Sequence, residues 1–439
     1  MRIHGSRSAP AVIALALAAS LSLASCGGGA ERPNTDVGKG AGPVADPASP
    51  QTVTFFSWVG NEPQMKKMAA EFHDKHPNIT IKFENAPAEQ AQQVLSTRIA
   101  GNTAPDVAYI NASDTNDYAA RGALVDLGGY MSRSQVVQPD DYVGGFKTFV
   151  TWNGKMWGLP FDGETTGLFY RTDRFKEAGL AGPPKTWEEF KAAAAKLTDA
   201  ANGKYGFEVF ASEAAYYFYP WLYQAGGETL SKDGKDVAFD SAAGKTAAAF
   251  YVDLAKYAPR DYFNSNSYDG RVAFAKGDVA MYVAGAWFAG TLADEYPKIT
   301  GKWAAAPLPD GAAGCKTTIA GDSLVMFNKT KVSDAAWLWM EFLSQPDNLA
   351  AWTYKTEGTL LPPTKALLGS DDLAKEKPVL KPFADLMACG VASAAPNPKY
   401  PRIETVLNEE LSKAIYGEQT PAEALDNAAT QGRAILARG

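Results

Sequence analysis

Histidine and cysteine are scarce in this chain of 439 residues, in which each occurs three times. His73 and His76 flank a charged stretch at the end of a predicted helix, where histidine is commonly a surface cation. No cysteine pair or further histidine stands near them, so the spacing does not fit a metal site. The GxSxG sequence of many hydrolases is also missing. We therefore expect no catalytic residues, no metal and no cofactor.

A basic tract is missing as well, and so is an apolar run after the first 25 residues that could span a bilayer. Lysine and arginine total 42 against 49 aspartate and glutamate, which gives a net charge of −7. An acidic chain of this kind argues against nucleic-acid binding and against electrostatic attachment to a membrane. The length is sufficient for two or more domains with their own cores.

The long apolar segment that the chain does contain lies at its N-terminus. Arg2 and Arg7 precede it, and small residues end it in the sequence "SLSLASCGGG". This pattern is typical of an export signal. Leu23–Cys26 resembles the lipobox of bacterial lipoproteins, in which the cysteine receives a diacylglycerol and the chain is cut just before it. We predict a lipoprotein signal peptide over residues 1–25 and an extracytoplasmic protein anchored to the cell membrane through lipidated Cys26. The alternative is an ordinary signal peptide that happens to contain a cysteine.

Residues 26–50 are rich in Gly, Pro and Ala and contain no aromatic residue. Such a composition does not bury enough apolar surface to order itself, so we predict a lipidated flexible linker over these residues. With Cys26 used by the lipid, Cys315 and Cys389 remain as an even pair. Outside the cytoplasm such a pair is more often bonded than free, which predicts a disulfide.

Strands and helices alternate in the body of the chain. "TVTFFS", "ITIKF" and "PDVAYI" are predicted strands, and a helical pattern lies between each strand and the next. This order predicts an α/β fold with a mostly parallel sheet and helices on both faces. In such sheets, ligands bind beyond the carboxyl ends of the strands. The polar and aromatic residues found there, after the first and third strands, are Trp58, Asn61, Glu62, Asn111 and Asp114.

Several segments, in order, resemble the family 1 extracellular solute-binding proteins, which are the carbohydrate receptors of ABC importers. They include "FFSWVGNEPQMKKMAAEFHDKHPNITIKFE", "NGKMWGLPFDGETTGLFYRTDRFKEAGL", "FAKGDVAMYVAGAWFAG" and "AAWLWMEFLSQPDNLAAW". The resemblance implies a two-lobed periplasmic-binding-protein-like fold, each lobe a mostly parallel sheet flanked by helices, joined by crossing strands and closing on ligand like a hinge. Lobe one would hold residues 51–161 and 307–360, and lobe two residues 162–306 and 361–439.

The resemblance also implies the kind of site, because a sugar is held by flat aromatic faces and planar polar groups. By position, Trp58 and Trp287 are the stacking aromatics, and Asp114, Asp162 and Glu164 are the polar groups. Tyr217 and Trp221 are candidates from the aromatic-rich sequence "EAAYYFYPWLYQAGGE". Asp322 and Arg402 are further candidates. The tryptophans that fall on helical patterns are assigned to the core: Trp187, Trp337, Trp339 and Trp352.

These features together predict a monomeric, lipid-anchored receptor that captures a mono- or oligosaccharide and delivers it to the permease subunits of an ABC transporter. One alternative is a receptor for another solute, such as a glycerol phosphoester or a peptide. A phosphate site would need clustered basic side chains or helix N-termini, whereas the candidate loops hold more acid and amide. The other alternative is a secreted glycoside hydrolase that uses Asp162 and Glu164. We disfavour it, because we expect these carboxylates to point to opposite faces of one strand.

Overall fold

The computed structural model describes residues 37–262, 267–356, 358–392 and 397–438. The predicted signal peptide (1–25), Cys26 and the first part of the predicted linker (26–36) lie outside the described residues. The strands are β1 (Gln51–Ser57), β2 (Ile79–Asn85), β3 (Val107–Asn111), β4 (Thr151–Trp152), β5 (Lys155–Met156), β6 (Gly158–Arg171), β7 (Tyr205–Phe207), β8 (Val279–Gly285), β9 (Trp303–Ala306), β10 (Thr317–Met326) and β11 (Gly390–Ala392).

The helices are α1 (Pro63–Lys75), α2 (Ala88–Ala100), α3 (Thr115–Ala120), α4 (Gly128–Met131), α5 (Gly144–Phe149), α6 (Thr172–Glu177), α7 (Trp187–Leu197), α8 (Ala214–Gln224), α9 (Ala242–Asp253), α10 (Ser267–Lys276), α11 (Trp287–Glu295), α12 (Ser333–Leu343), α13 (Pro346–Ala350), α14 (Lys365–Leu368), α15 (Asp371–Glu376), α16 (Lys381–Leu386), α17 (Tyr400–Tyr416) and α18 (Pro421–Ala437). Short 3₁₀ turns cover Ala112–Asp114, Ala200–Asn202, Leu254–Tyr257, Arg260–Tyr262, Pro297–Ile299, Pro378–Leu380 and Met387–Cys389, and Ala351–Lys355 form a wider π-helical turn.

A nine-stranded sheet forms the centre of the described chain. Its strand order is β2-β1-β3-β10-β6-β8-β7, with β11 beside β10 and β9 beside β6. Pairs in the outer parts, β2-β1-β3 and β8-β7, are parallel. In contrast, β10 and β6 are antiparallel to each other and to their neighbours β3 and β8. The sheet is therefore mixed at its centre, where the sequence predicts mostly parallel pairing.

Strand β6 joins the two parts of the sheet. Its 14 residues reach far enough to pair with β10 through residues 158–165 and with β8 and β9 through residues 166–171. Beside it, Gly163 and Leu361 exchange two backbone hydrogen bonds of 2.9 and 2.7 Å. A further chain segment thus pairs with β6 at the point where the sheet passes from one part to the other.

Both faces of the sheet are covered. In β3, Val107 and Tyr109 belong to one apolar cluster, while Ala108 and Ile110 belong to another, because successive residues of a strand point to opposite faces. Helix α1 covers the first of these faces with Met65, Met68 and Phe72, which are its buried residues at helical spacing. The two parts of the core hold the sheet between layers of helices.

The second half of the predicted linker lies against the body. The Arg133 guanidinium donates to the backbone carbonyls of Gly42 at 2.8 Å and of Gly38 and Pro43 at 3.3 Å each. Val44 is buried in the main apolar cluster. Composition alone predicts a flexible spacer here, since it does not reveal a side chain 90 residues away that binds these carbonyls.

Cys315 and Cys389 are joined by a disulfide, with their Cα atoms 5.8 Å apart. The bond connects the segment before β10 to the 3₁₀ turn before β11, two strands that pair in parallel. It thereby holds the C-terminal region next to the central sheet. Within the described residues, no helix combines the length and the apolar character that crossing a membrane requires.

Candidate functional site

The register of three neighbouring strands brings polar side chains into one row. Asp322 on β10 lies directly opposite Asn111 on β3 and directly opposite Asp162 on β6. Directly opposed residues project from the same face of a sheet. The register of β10 against β6 shifts immediately after Asp322, and Gly321 allows the close approach, because a Cβ there would lie 2.5 Å from the Asp162 carbonyl oxygen. Residues far apart in sequence thus form the floor of a cleft.

The floor is completed by aromatic donors. The Tyr109 hydroxyl lies 2.9 Å from Oδ2 of Asp162 and 2.6 Å from Oδ2 of Asp322. The Trp352 indole donates to Oδ2 of Asp162 at 2.7 Å. Burial raises the pKa of both carboxyls, and repulsion from Asp162 raises the pKa of Asp322 further. Each of these two adjacent carboxyls therefore makes ionisation of the other less favourable.

Glu164 is the next carboxyl along β6 and is only 9% exposed. The Tyr216 hydroxyl donates to its Oε1 at 2.9 Å, whereas its Oε2 has no hydrogen-bond partner among the described residues. A Cβ on Gly285 would lie 1.6 Å from that Oε2, so only glycine leaves room for the carboxylate. Burial raises the pKa of Glu164 to about 7, the Tyr216 hydrogen bond opposes this, and Asp162 adds to it.

Two further carboxyls near the cleft share this behaviour. Glu404 on α17 accepts a hydrogen bond from the Tyr219 hydroxyl at 2.9 Å, and burial raises its pKa to about 7. Asp114 accepts one from Gln92 at 2.7 Å. Burial raises the pKa of Asp114 to about 7 as well, against the Gln92 hydrogen bond and with a contribution from Glu404. Asp114 and Glu404 therefore repel each other.

Aromatic side chains stand at the sides of the cleft. Trp58 follows β1 and contacts the edge of Tyr109, with 4.7 Å between ring centroids. Trp287 is the first residue of α11 and is separated from the end of β8, at Gly285, only by Ala286. The Arg271 guanidinium lies over its ring at 4.5 Å from the centroid. Both indoles are half-buried. They present flat apolar surface next to the carboxyl-lined floor.

The cleft has a volume of about 800 Å³. Its charged lining consists of inner carboxyls, rim carboxyls and one cation among the described residues: Asp162, Glu164, Asp322 and Glu404 inside; the exposed Glu62, Asp294 and Glu295 at the rim; and Arg271. The described residues contain no group of three or more His, Cys, Asp or Glu side chains arranged to hold a metal ion. The cleft is therefore acidic and aromatic.

The structure brings seven of the sequence-predicted site residues to this cleft: Trp58, Glu62, Asn111, Asp162, Glu164, Trp287 and Asp322. Asn61 is exposed and Asp114 is buried, and neither lines the cleft. Tyr217 is 4% exposed and Trp221 is fully buried, so both pack in the core and do not face the cleft as the sequence predicts. Arg402 is exposed on α17, also away from the cleft.

Sequence reasoning missed several lining residues. The aromatic helix α8 does reach the cleft, but through Tyr216, the residue before the predicted Tyr217. On α17 the buried residues Tyr400, Ile403 and Leu407 recur at helical spacing. That pattern places residue 404 on the buried face and residue 402 on the opposite one, and it could have favoured Glu404 over Arg402.

Trp352 and Tyr109 contribute to the floor of the cleft, although their sequence patterns indicate buried core residues. Trp352 is buried, as predicted, yet its indole N–H reaches Asp162 on the cleft floor. Tyr109 lies inside a predicted buried strand, where a hydroxyl signals a polar partner. Asp162 and Glu164 both line the cleft, and the expectation that they point to opposite faces is wrong, since residues two apart on a strand share a face.

A two-part α/β fold with a ligand-sized cleft beside its crossing strands defines a periplasmic-binding-protein-like receptor. The chain belongs to the bacterial extracellular solute-binding proteins, because the sequence model of that family matches residues 59–350. An ABC transporter solute-binding protein from Thermotoga lettingae, bound with alpha-D-tagatose, has a TM-score of 0.80 and 26% identity, covering 88% of this chain and 100% of that one. The predicted family and fold class are thereby confirmed.

Two curated relatives differ in what their names say they bind. The lactose-binding protein of Rhizobium radiobacter is 28% identical over 310 residues, which are 67% of this chain and 69% of that protein. The sn-glycerol-3-phosphate-binding periplasmic protein of Escherichia coli is 30% identical over 311 residues, 65% of this chain and 68% of that protein. These relatives are binding proteins, and no enzyme family is indicated.

Proposed function

We propose that this protein is a substrate-binding lipoprotein that captures a sugar in the cleft and delivers it to the permease subunits of an ABC transporter. The observation that carries the proposal is the pairing of two half-buried indoles, Trp58 and Trp287, with a floor of planar carboxyl acceptors. Indoles cover the apolar faces of a pyranose, and carboxyls accept hydrogen bonds from its hydroxyls. A volume of about 800 Å³ suits a small-molecule ligand.

The names of two relatives support a sugar, and the name of the third points to a glycerol phosphoester. The charges of this cleft favour the sugar. A phosphate ester brings negative charge into a lining with seven carboxyls and, in the described chain, a single cationic side chain. Placing like charges together in a partly buried site is unfavourable, so we favour a sugar over a phosphoester as the ligand.

The proposal includes the attachment and the domain arrangement expected from the sequence. Cys26 carries the lipid, the protein lies outside the cytoplasm, and it acts as a monomer without catalysing a reaction. Lobe one consists of residues 51–161 and 307–360, and lobe two of residues 162–306 and 361–439. The cleft between these lobes closes on the ligand through the strands that join them.

Calorimetric titration of the purified, unlipidated protein with mono- and disaccharides and with sn-glycerol 3-phosphate tests the proposal. Trp287→Ala should weaken sugar binding by about thirtyfold or more, because truncating a central aromatic anchor costs at least about 2 kcal/mol. Trp152→Ala removes a similarly half-buried indole away from the cleft and is the matched control. Tight binding of the phosphoester alone, or equal losses in both variants, would contradict the proposal. Chromatography should recover the sugar unchanged.

A further inference from the structure

The cleft carries a strong imbalance of charge. Four carboxyls line its inner part and three more stand at the rim, against one cationic side chain, Arg271, in the described lining. Arg271 lies over the Trp287 ring at 4.5 Å from its centroid. Neutral sugar hydroxyls satisfy carboxyl acceptors by hydrogen bonding, but they bring no positive charge to offset the negative charge of this lining. A ligand that carries a positive charge would do both.

Glu164 shows the imbalance most clearly. The side chain is nine-tenths buried and lines the cleft, and its Oε2 has no hydrogen-bond partner among the described residues. The groups that act on its ionisation are the neutral Tyr216 hydroxyl and the acidic Asp162, and neither supplies positive charge. A buried carboxylate with an unpaired oxygen is stabilised most by a cation that also donates hydrogen bonds.

A second carboxyl pair points the same way. Repulsion from Glu404 on α17 contributes to the raised pKa of Asp114, which follows β3, although burial is the larger cause. Glu404 also lines the cleft, and its hydrogen-bond donor, Tyr219, is neutral. A ligand that brings positive charge into the cleft would offset the negative charge of Glu404 as well as that of Glu164. A metal ion is a poor fit, because the described residues offer no metal-binding group of side chains.

We propose that the preferred ligand is a sugar that carries a protonated amine, with the ammonium group bound by the Glu164 carboxylate. This inference rests on the proposed function, and it adds the substrate class. The ring of the sugar lies against the indoles, and the ammonium donates to the unpaired Oε2 of Glu164. Hydrogen bonds to charged partners are stronger than those between neutral groups, so the amine is worth about tenfold or more in affinity.

Titration with matched sugars at about pH 7 tests this. Each set contains an amino sugar, its N-acetyl form and its neutral parent: glucosamine, galactosamine and the chitosan dimer with their counterparts. We expect the free amine to bind about tenfold or more tighter than both neutral members of its set. Equal or tighter binding of the neutral members would overturn the inference and leave the proposed function standing. If no member of any set binds, the inference falls, and the proposed function is decided by the wider titration with mono- and disaccharides.

Glu164→Gln is the decisive variant, because glutamine keeps the shape and loses the charge. It should reduce the preference for the amine over the neutral parent by about tenfold. Glu177→Gln makes the same chemical change at an exposed side chain of α6 outside the cleft and should keep the preference. An unchanged preference in Glu164→Gln would overturn the assignment of Glu164. Circular dichroism of each variant verifies folding, and Glu404→Gln offers a second reduction of cleft charge if Glu164→Gln does not fold.

Discussion

Replacing Glu164 with glutamine is expected to stabilise the unliganded protein at about pH 8 while changing its stability little at about pH 4.5. Burial raises the pKa of this carboxyl from 4.5 to about 7. The folded chain thus holds the proton more tightly than the unfolded chain does. The resulting stabilisation is complete below about pH 4.5 and is lost as the pH rises through about 7. A pKa difference of this size corresponds to about 3 kcal/mol.

The measurement is urea denaturation of wild type and variant at several pH values between about 4.5 and 8. Relative to the value at low pH, the free energy of unfolding of Glu164→Gln should exceed that of the wild type by about 3 kcal/mol at pH 8. Asp114 and Glu404 also have raised pKa values, but they are present in both proteins and largely cancel. Glu177→Gln, at a side chain that is 72% exposed, is the control and should show no such trend.

A difference in stability that does not change with pH would refute this reasoning, because it would mean that Glu164 ionises equally well in the folded and the unfolded chain. A variant that loses stability relative to the wild type as the pH rises would refute it more strongly. That result would require a positive group beside Glu164 in the free protein. Both outcomes would also weaken the inference that the cleft binds a cationic ligand.

The remaining predictions concern the membrane attachment, the disulfide and the segment over residues 37–44. Cys26→Ala should prevent lipidation, so in detergent phase partitioning the variant should be found in the aqueous phase. A variant that is found in the detergent phase would contradict the lipoprotein prediction. Replacing both Cys315 and Cys389 with alanine should lower the free energy of unfolding by about 4 kcal/mol, the loop-closure value for a separation of 74 residues, and unchanged urea denaturation would contradict it. Arg133→Ala should speed proteolytic cleavage within residues 37–44, and an unchanged cleavage rate would mean that its hydrogen bonds do not hold this segment.

Local patterns in the sequence predict much of the fold. The alternation of "TVTFFS", helix and strand led to β1, α1 and β2. These predictions succeed because each depends on a few neighbouring residues. The resemblance of ordered segments supplied the two-part architecture, which periodicity alone does not give.

The floor of the cleft could not be predicted in the same way. It depends on the register of β10 against β3 and β6, which brings Asp322 opposite Asn111 and Asp162 from positions far apart in the chain. A one-residue change in that register would move every side chain of the strand to the other face. On α17 the error was local, because Arg402 and Glu404 are two residues apart and helical spacing separates them by about half a turn.

Asp162 stands on β6, which joins the two parts of the sheet, and Asp322 stands on the neighbouring strand β10. If the proposed lobes rotate to close the cleft, points near the axis of rotation move least and points far from it move most. We therefore expect the carboxyl floor to be in place before closure, and Trp58 and Trp287 to approach from either side afterwards. We expect a ligand to dock first through its polar edge, with an on-rate that is insensitive to the indoles. The two indoles then lower the dissociation rate and so lengthen the lifetime of the complex.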